Sequence, residues 1–179
     1  MMEDKKILGE ERRNLLLQLL KDSNQPITGS DLALRTKVSR QVIVGDITLL
    51  KAKNEPIIAT SQGYMYLKPS SPAPLYEKTI ACFHTPEQTE DELNILVDHG
   101  VTVKDVRIEH PVYGDLTASI MVANRLEVKQ FMSKVNATNA AYLSELTEGI
   151  HLHTITASNE QKLLAAEEAL RNKGYLIES

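Results

Sequence analysis

The chain has 179 residues, a formal net charge of −4 and 42% hydrophobic residues, with one cysteine, no tryptophan and two phenylalanines. A single cysteine excludes an intramolecular disulfide and a cysteine-based zinc finger, and points to a reducing compartment. No apolar run is long enough to span a bilayer, and the opening MMEDKKILGEERR is too charged for a secretory signal, so a cytoplasmic protein without membrane contact is expected.

The charge is unevenly distributed. Residues 1–68 carry 11 Lys and Arg against 8 Asp and Glu, a net of +3, whereas residues 69–179 carry 9 against 16, a net of −7. That asymmetry suggests that the first part alone meets a polyanion. Within it, EERRNLLLQLLKDSNQPIT places Leu15, Leu16, Leu19 and Leu20 on one helical face and stops at DSNQP. Thr28 or Ser30 can cap a short second helix with apolar positions Leu32, Ala33 and Leu34. Val38 follows in a turn, and Ser39 caps a third helix whose buried face is expected to be Val42, Ile43, Ile47 and Leu50. Two short helices across a tight turn form a helix-turn-helix.

PIIATSQGYMYL then reads as strand, turn and strand, the wing of a winged helix. The order of these elements, with VSRQVIVGDI at its centre, resembles the helix-turn-helix class at the N-terminus of many bacterial repressors and of bifunctional biotin-ligase repressors. In that arrangement the first turn of the recognition helix, Ser39, Arg40 and Gln41, points at base edges or phosphates of double-stranded DNA. Arg40 suits guanine and Gln41 adenine, while Lys37, Lys51 and Lys53 are candidates for phosphate contacts.

KPSSPAPLY has no periodicity and marks a linker over residues 69–76, between a DNA-binding domain at 1–68 and a second domain at 77–179. In the second domain EKTIACFH reads as a strand and TPEQTEDELNILVDHG as a helix capped by Thr85 and ended by Gly100. VTVKDVRIEHPVYG and DLTASIMVA read as strands, RLEVKQFMSKVNA as a helix, EGIHLHTITA as a strand, NEQKLLAAEEALRNKG as a helix and YLIES as a last short strand. The expected fold is therefore α+β in two domains, the second an α/β sandwich with a mixed sheet and about three helices.

His151 and His153 stand one residue apart in a strand and so share a face, where two imidazoles can converge. His84 ends the domain's first strand, and Glu92 lies eight residues later on the following helix, with Glu87, Glu90 and Asp91 competing on spacing alone. Three imidazoles and a carboxylate suit one divalent transition metal per chain, whether zinc, nickel or iron. Cys82 shares a strand face with His84 and reads either as a fifth ligand or as a small core residue. His99, before Gly100 at a helix end, reads as structural.

A winged helix followed by histidines in FHTPEQTEDEL, IEHPVYG and GIHLHTI resembles the niacin-responsive transcriptional repressors, whose C-terminal portion is called the three-histidine domain. The resemblance implies a non-enzymatic repressor of NAD-biosynthesis and niacin-uptake genes with nicotinic acid as co-repressor. It also implies a metal carried by His84, Glu92, His151 and His153. His110, the remaining histidine of the three segments, is assigned with Tyr113 and Arg107 to the effector pocket, His110 at a strand end where it can face the same cleft. Coupling to a palindromic operator calls for a homodimer that holds two recognition helices about 34 Å apart. Rival readings are a metalloregulator that senses the metal itself and a metal-dependent hydrolase fused to a DNA-binding module.

Overall fold

The computed structural model describes residues 8–68 and 75–178. The chain divides into two compact units, Met1–Ser71 and Pro72–Ser179. Of the expected linker, residues 69–74 lie outside the described residues, and Tyr76 already belongs to a strand.

The first unit runs α1 (Gly9–Asp22), α2 (Gly29–Thr36), α3 (Arg40–Ala52), β1 (Ile57–Thr60) and β2 (Gly63–Tyr66). Thr28 Oγ1 caps α2 by accepting from the Asp31 amide, and Ser39 Oγ caps α3 by accepting from Val42. Leu16, Leu20, Leu32, Ile43, Ile47 and Leu50 close one apolar core. Leu34 and Val42, expected to face inward, are exposed: the helical phase set by Ile43, Ile47 and Leu50 leaves Val42 on the flank of α3. Asp46 takes the vacated inward position, where it meets Arg12 Nε at 2.5 Å and Arg13 Nη1 at 3.3 Å and so ties α3 to α1.

Strands β1 and β2 pair antiparallel across Ser61 and Gln62, and Ile27 adds a bridge to Tyr64. Gly63 is needed there: its φ is +139°, and a Cβ would lie 2.5 Å from the Ile27 carbonyl oxygen.

The second unit runs β3 (Tyr76–Phe83), α4 (Thr89–Asp98), β4 (Thr102–His110), β5 (Gly114–Ala118), α5 (Arg125–Thr138), β6 (Ile150–Ala157) and α6 (Glu160–Lys173). Its sheet has the order β3-β6-β4-β5, and every pair is antiparallel, where a mixed sheet was expected. The reason is that β6 inserts between β3 and β4. Those two strands, joined through α4, are parallel to each other but do not touch. The segment YLIES is not a further strand: only Leu176 bridges β3, opposite Cys82. Ile80, Val103 and Ile155 of the sheet pack with Leu93 and Leu96 of α4, Val128 of α5 and Leu163 and Leu170 of α6.

Candidate functional site

The register of β3 on β6 builds the centre of the second unit. Cys82 pairs with His151 and Ile80 with His153, so both β6 histidines project to the face that carries the apolar core. His84 leaves the end of β3. Thr85 and Gln88 then form a reciprocal capping box around a single 3-10 turn, Pro86–Gln88, before α4 begins at Thr89. This start fixes the phase of α4, which turns Glu92 inward beside Leu93 and Leu96. Of the competing acids, Glu87 and Glu90 are exposed. Asp91 faces away, accepting from Tyr175 Oη at 2.9 Å and Lys173 Nζ at 3.1 Å.

His84, His151, His153 and Glu92 are all buried, none more than 4% exposed. The three Nε2 atoms converge on the Glu92 carboxylate at 2.7, 3.3 and 3.2 Å respectively. Each Nδ1 points the other way, to a backbone carbonyl: Thr85 at 2.8 Å, Gly149 at 2.8 Å and Asp105 at 2.7 Å. A carbonyl oxygen only accepts, so each Nδ1 carries its proton and donates. The neutral rings therefore present three Nε2 lone pairs to a carboxylate that also only accepts. Such a constellation is satisfied by protons on Nε2 or by a cation at the convergence point. Carbonyl-tethered Nδ1 groups are the supporting arrangement of metal-ligating histidines, so the residues fit a borderline divalent ion.

The electrostatics have the same origin. Burial pushes Glu92 up, but the charges and hydrogen bonds of His153, His151 and His84 outweigh it and hold the carboxyl well below its usual range. Burial pulls His84 and His153 down, and the Glu92 carboxylate more than offsets it, so both are raised above the ordinary imidazole value. Cys82 Sγ lies close by, its sulfur and donor atoms of Glu92 and His151 falling within 4.8 Å of one another. Burial and the Glu92 charge push its thiol far above the ordinary value, and its side chain is part of the apolar core. His99 hydrogen-bonds the Ile95 carbonyl of its own helix at 2.7 Å.

A cavity of about 240 Å³ opens beside the cluster. His84, Glu92, His151 and His153 form one end, and Val106, Ile120, Phe131, Val135, Tyr142 and Leu143 line much of the rest. No lysine or arginine is among the described residues that line it. Thr89 lines it as well, and its Oγ1 is buried without a hydrogen-bond partner. The wall formed by Phe131, Val135 and Tyr142–Ser144 has no counterpart in the sequence reading. One local signal was available: Glu145 Oε1 accepts from the Tyr142 amide, closing a capped turn at that point.

His110, Tyr113 and Arg107 are not part of this cavity, contrary to expectation. His110 lies at the far end of β4, and its Nδ1 accepts from the amides of Val112 and Tyr113, closing the β4–β5 turn. Its ring packs on Tyr113, which is 74% exposed. Arg107 projects to the opposite face of the sheet, donating to Thr79 Oγ1 at 3.3 Å and bordering a second cavity, of about 360 Å³, with Glu109 and Leu152; His151 lines both cavities. The alternation of β4 separates it from Val106, which faces the cavity.

In the first unit Lys37, Ser39, Arg40 and Gln41 gather at the α2–α3 turn and are exposed. Lys37 is left-handed, with φ 53°, and closes α2. Arg40 lies against Gly29 at the start of α2. Lys51 and Lys53, also exposed, stand at the other end of α3, about 17 and about 20 Å along the axis from Arg40 at 1.5 Å per residue.

A helix-turn-helix domain model matches residues 12–65 and a 3H domain model matches residues 77–179. The chain is 58% identical over 178 residues to the transcription repressor NadR of Bacillus subtilis (strain 168), covering 99% of each chain. It belongs to the NadR/NiaR repressor family. A second member, described as the probable transcription repressor NiaR of Thermotoga maritima, is 36% identical over 173 residues, covering 97% of each chain. As a NadR/NiaR member the chain has DNA as the partner of its helix-turn-helix, and the turn at Ser39–Gln41 lies within the matched segment. The His84/Glu92/His151/His153 cluster and its cavity lie wholly within the 3H match. Among the described residues no helix is long and apolar enough to cross a membrane.

Proposed function

We propose that the chain is a transcription repressor of NAD-biosynthesis and niacin-uptake genes that binds a palindromic operator as a homodimer. In this reading a divalent metal is held by His84, Glu92, His151 and His153, and nicotinic acid acts as co-repressor in the adjoining cavity. The observation that carries it is the junction of the two features: Nε2 lone pairs converging on Glu92, opening directly into an apolar cavity with one unpartnered hydroxyl, Thr89 Oγ1.

The cavity suits a single flat ring. At about 240 Å³ it is smaller than the roughly 300–1,000 Å³ that drug-sized ligands occupy, and Phe131, Val135 and Leu143 offer apolar surface to a ring's faces. A carboxylate is a poor guest for a cavity without a lysine or arginine and with Glu92 at one end. A divalent ion held by the four residues would supply the missing positive charge. Thr89 Oγ1 is placed to donate to an acceptor on the ligand, which would satisfy a group otherwise costly to bury.

The test is a fluorescence-anisotropy titration of metal-replete protein onto the upstream regions of its host's NAD-biosynthesis and niacin-uptake genes, with and without nicotinic acid at fixed salt. Tightening of tenfold or more by nicotinic acid is expected, a coupling of about 1.4 kcal/mol. Overlaid curves would remove the co-repressor reading. If metal alone tightened binding while nicotinic acid did nothing, the chain would be a metalloregulator, a second reading favoured by the carbonyl-tethered histidines.

A further inference from the structure

The outward face of α3 contains a residue with no internal reason to be there. The inward face is fixed by Ile43, Asp46, Ile47 and Leu50, all buried. At 100° per residue the opposite face is centred on Gln41, Gly45 and Thr48, all exposed. Glycine is the poorest helix former after proline, so a helix-interior glycine calls for a compensating reason. Two such reasons are common: a left-handed backbone, or a neighbour too close to admit a Cβ.

Both are visible elsewhere in this chain. Gly63 and Gly149 have φ of +139° and +99°, and at each a Cβ would sit 2.5 Å from a carbonyl oxygen. Gly45 shows neither. It lies inside a regular helix and is absent from the positive-φ glycines. A Cβ built on it meets nothing within 4 Å.

We infer that Gly45 is the point of closest approach between α3 and DNA, and that its missing side chain sets how deeply the recognition helix seats in the major groove. The geometry of the face supports this assignment. Gly45 lies one turn behind Gln41, and Gln41 and Arg40 are the side chains of the first turn that can reach base edges. A methyl group at Gly45 would hold the axis of α3 away from the duplex and withdraw both from hydrogen-bonding distance. Bidentate pairing of arginine or glutamine to a base tolerates only a few tenths of an ångström, so a small outward shift removes direct readout. The neighbours do not take over this role: Val42 and Leu49 flank the face, and Thr48 Oγ1 is turned back to the Val44 carbonyl at 2.8 Å. The inference rests on the DNA-binding part of the proposed function and not on its metal or nicotinic acid.

The experiment compares Gly45→Ala and Gly45→Leu with the unaltered full-length chain. The probe is a labelled duplex recovered from a random library by selection with the unaltered chain, so that it does not depend on which genes are regulated. Gly45→Ala should raise the melting midpoint of the winged-helix unit by about 4 °C and slow hydrogen exchange of the α3 amides, because alanine is the better helix former. It should also weaken binding to the selected duplex tenfold or more, with Gly45→Leu weakening it further. Binding within twofold of the unaltered chain, for a variant that melts higher, would overturn the inference. So would a lower melting midpoint, which would reveal an internal role for the glycine. If the unaltered chain enriched no duplex, the DNA-binding reading and this inference would fall together. Failure of nicotinic acid to alter binding would leave the inference standing.

Discussion

A metal ion held as proposed by His84, His151, His153 and Glu92 would compete with protons for the same three Nε2 atoms, and the competition would have a calculable pH dependence. Because their Nδ1–H groups are committed to carbonyls, the only site left to protonate on His84 or His153 is Nε2, the atom that faces Glu92. His84 and His153 are raised above the ordinary 6.5 by the Glu92 carboxylate, so in the metal-free chain both hold an Nε2 proton through mildly acidic pH. Metal binding must displace those two protons. Below their folded pKa values the dissociation constant should fall about a hundredfold per pH unit, or about 2.7 kcal/mol at roughly 1.36 kcal/mol per decade. The stability gained from saturating metal grows by the same amount.

The metal-free chain behaves in the opposite sense. The contribution of the raised histidines is fully present below 6.5 and is lost as pH rises through their folded values. That of Glu92, lowered from 4.5, is present above 4.5 and is lost as pH falls through its depressed value. The melting curves of stripped and zinc-loaded protein should therefore diverge as pH rises. Scanning calorimetry of both forms, with titration calorimetry in two buffers of different ionisation enthalpy, measures the divergence and the proton count. Zinc binding that released no protons between about pH 5.5 and about pH 7 would refute His84 and His153 as its ligands.

Three further outcomes are expected. Gly149→Ala places a Cβ 2.5 Å from the His84 carbonyl oxygen in a residue with φ +99°, displacing the carbonyl that orients His151. Competition against a chromophoric chelator should show metal affinity lowered about 10- to 100-fold. Thr89→Val removes a buried hydroxyl that has no partner, so urea denaturation should find the ligand-free chain unchanged or slightly more stable, whereas calorimetry should find nicotinic acid bound at least fivefold more weakly, about 1 kcal/mol for one hydrogen bond. Asp46→Ala deletes the carboxylate between Arg12 and Arg13 in the core of the winged helix, at a cost of about 3–5 kcal/mol in urea denaturation of that unit.

What the sequence revealed was what local chemistry determines. Ser39 as a cap, Ile43 and Ile47 as an inward face, and two histidines one residue apart in a strand each follow from the period of a single element. The choice of Glu92 over Asp91 depended on where α4 begins, and the 3-10 turn at Pro86–Gln88 delays that start to Thr89, a shift of phase that a helix drawn from Thr85 does not contain. His110 misled because a strand end before a proline is good evidence of a turn but none of which cleft the turn borders. The sheet became antiparallel through a long-range event, the insertion of β6 between two strands whose helical connection alone suggests parallel neighbours. The cavity was illegible for the same reason. Its wall joins α5 and Tyr142–Ser144 to strands β4 and β5, and no short segment carries the pattern of such a meeting.

The same long-range assembly explains how a small ligand could be felt beyond its own contacts. The candidate ligands come from three separate places, the end of β3, α4 and β6, so a cation held among them would add to the Glu92 hydrogen bonds and apolar packing that already join α4 to the two strands. Thr89 and Leu93, on the same helix as Glu92, line the cavity, while Phe131 and Val135 bring α5 to its other side. A ring in that space therefore bears on α4 and α5 together, and a metal held at the cluster would fix α4. For such a ligand to change DNA affinity tenfold it must bind the operator-competent form about tenfold better than the alternative, since equal affinity for both shifts nothing. The β6 end of the cavity is anchored by the His151 and His153 hydrogen bonds to backbone carbonyls, whereas α5 and Tyr142–Ser144 close its other side, so a ligand that draws α5 toward α4 is the kind that could favour one form over the other.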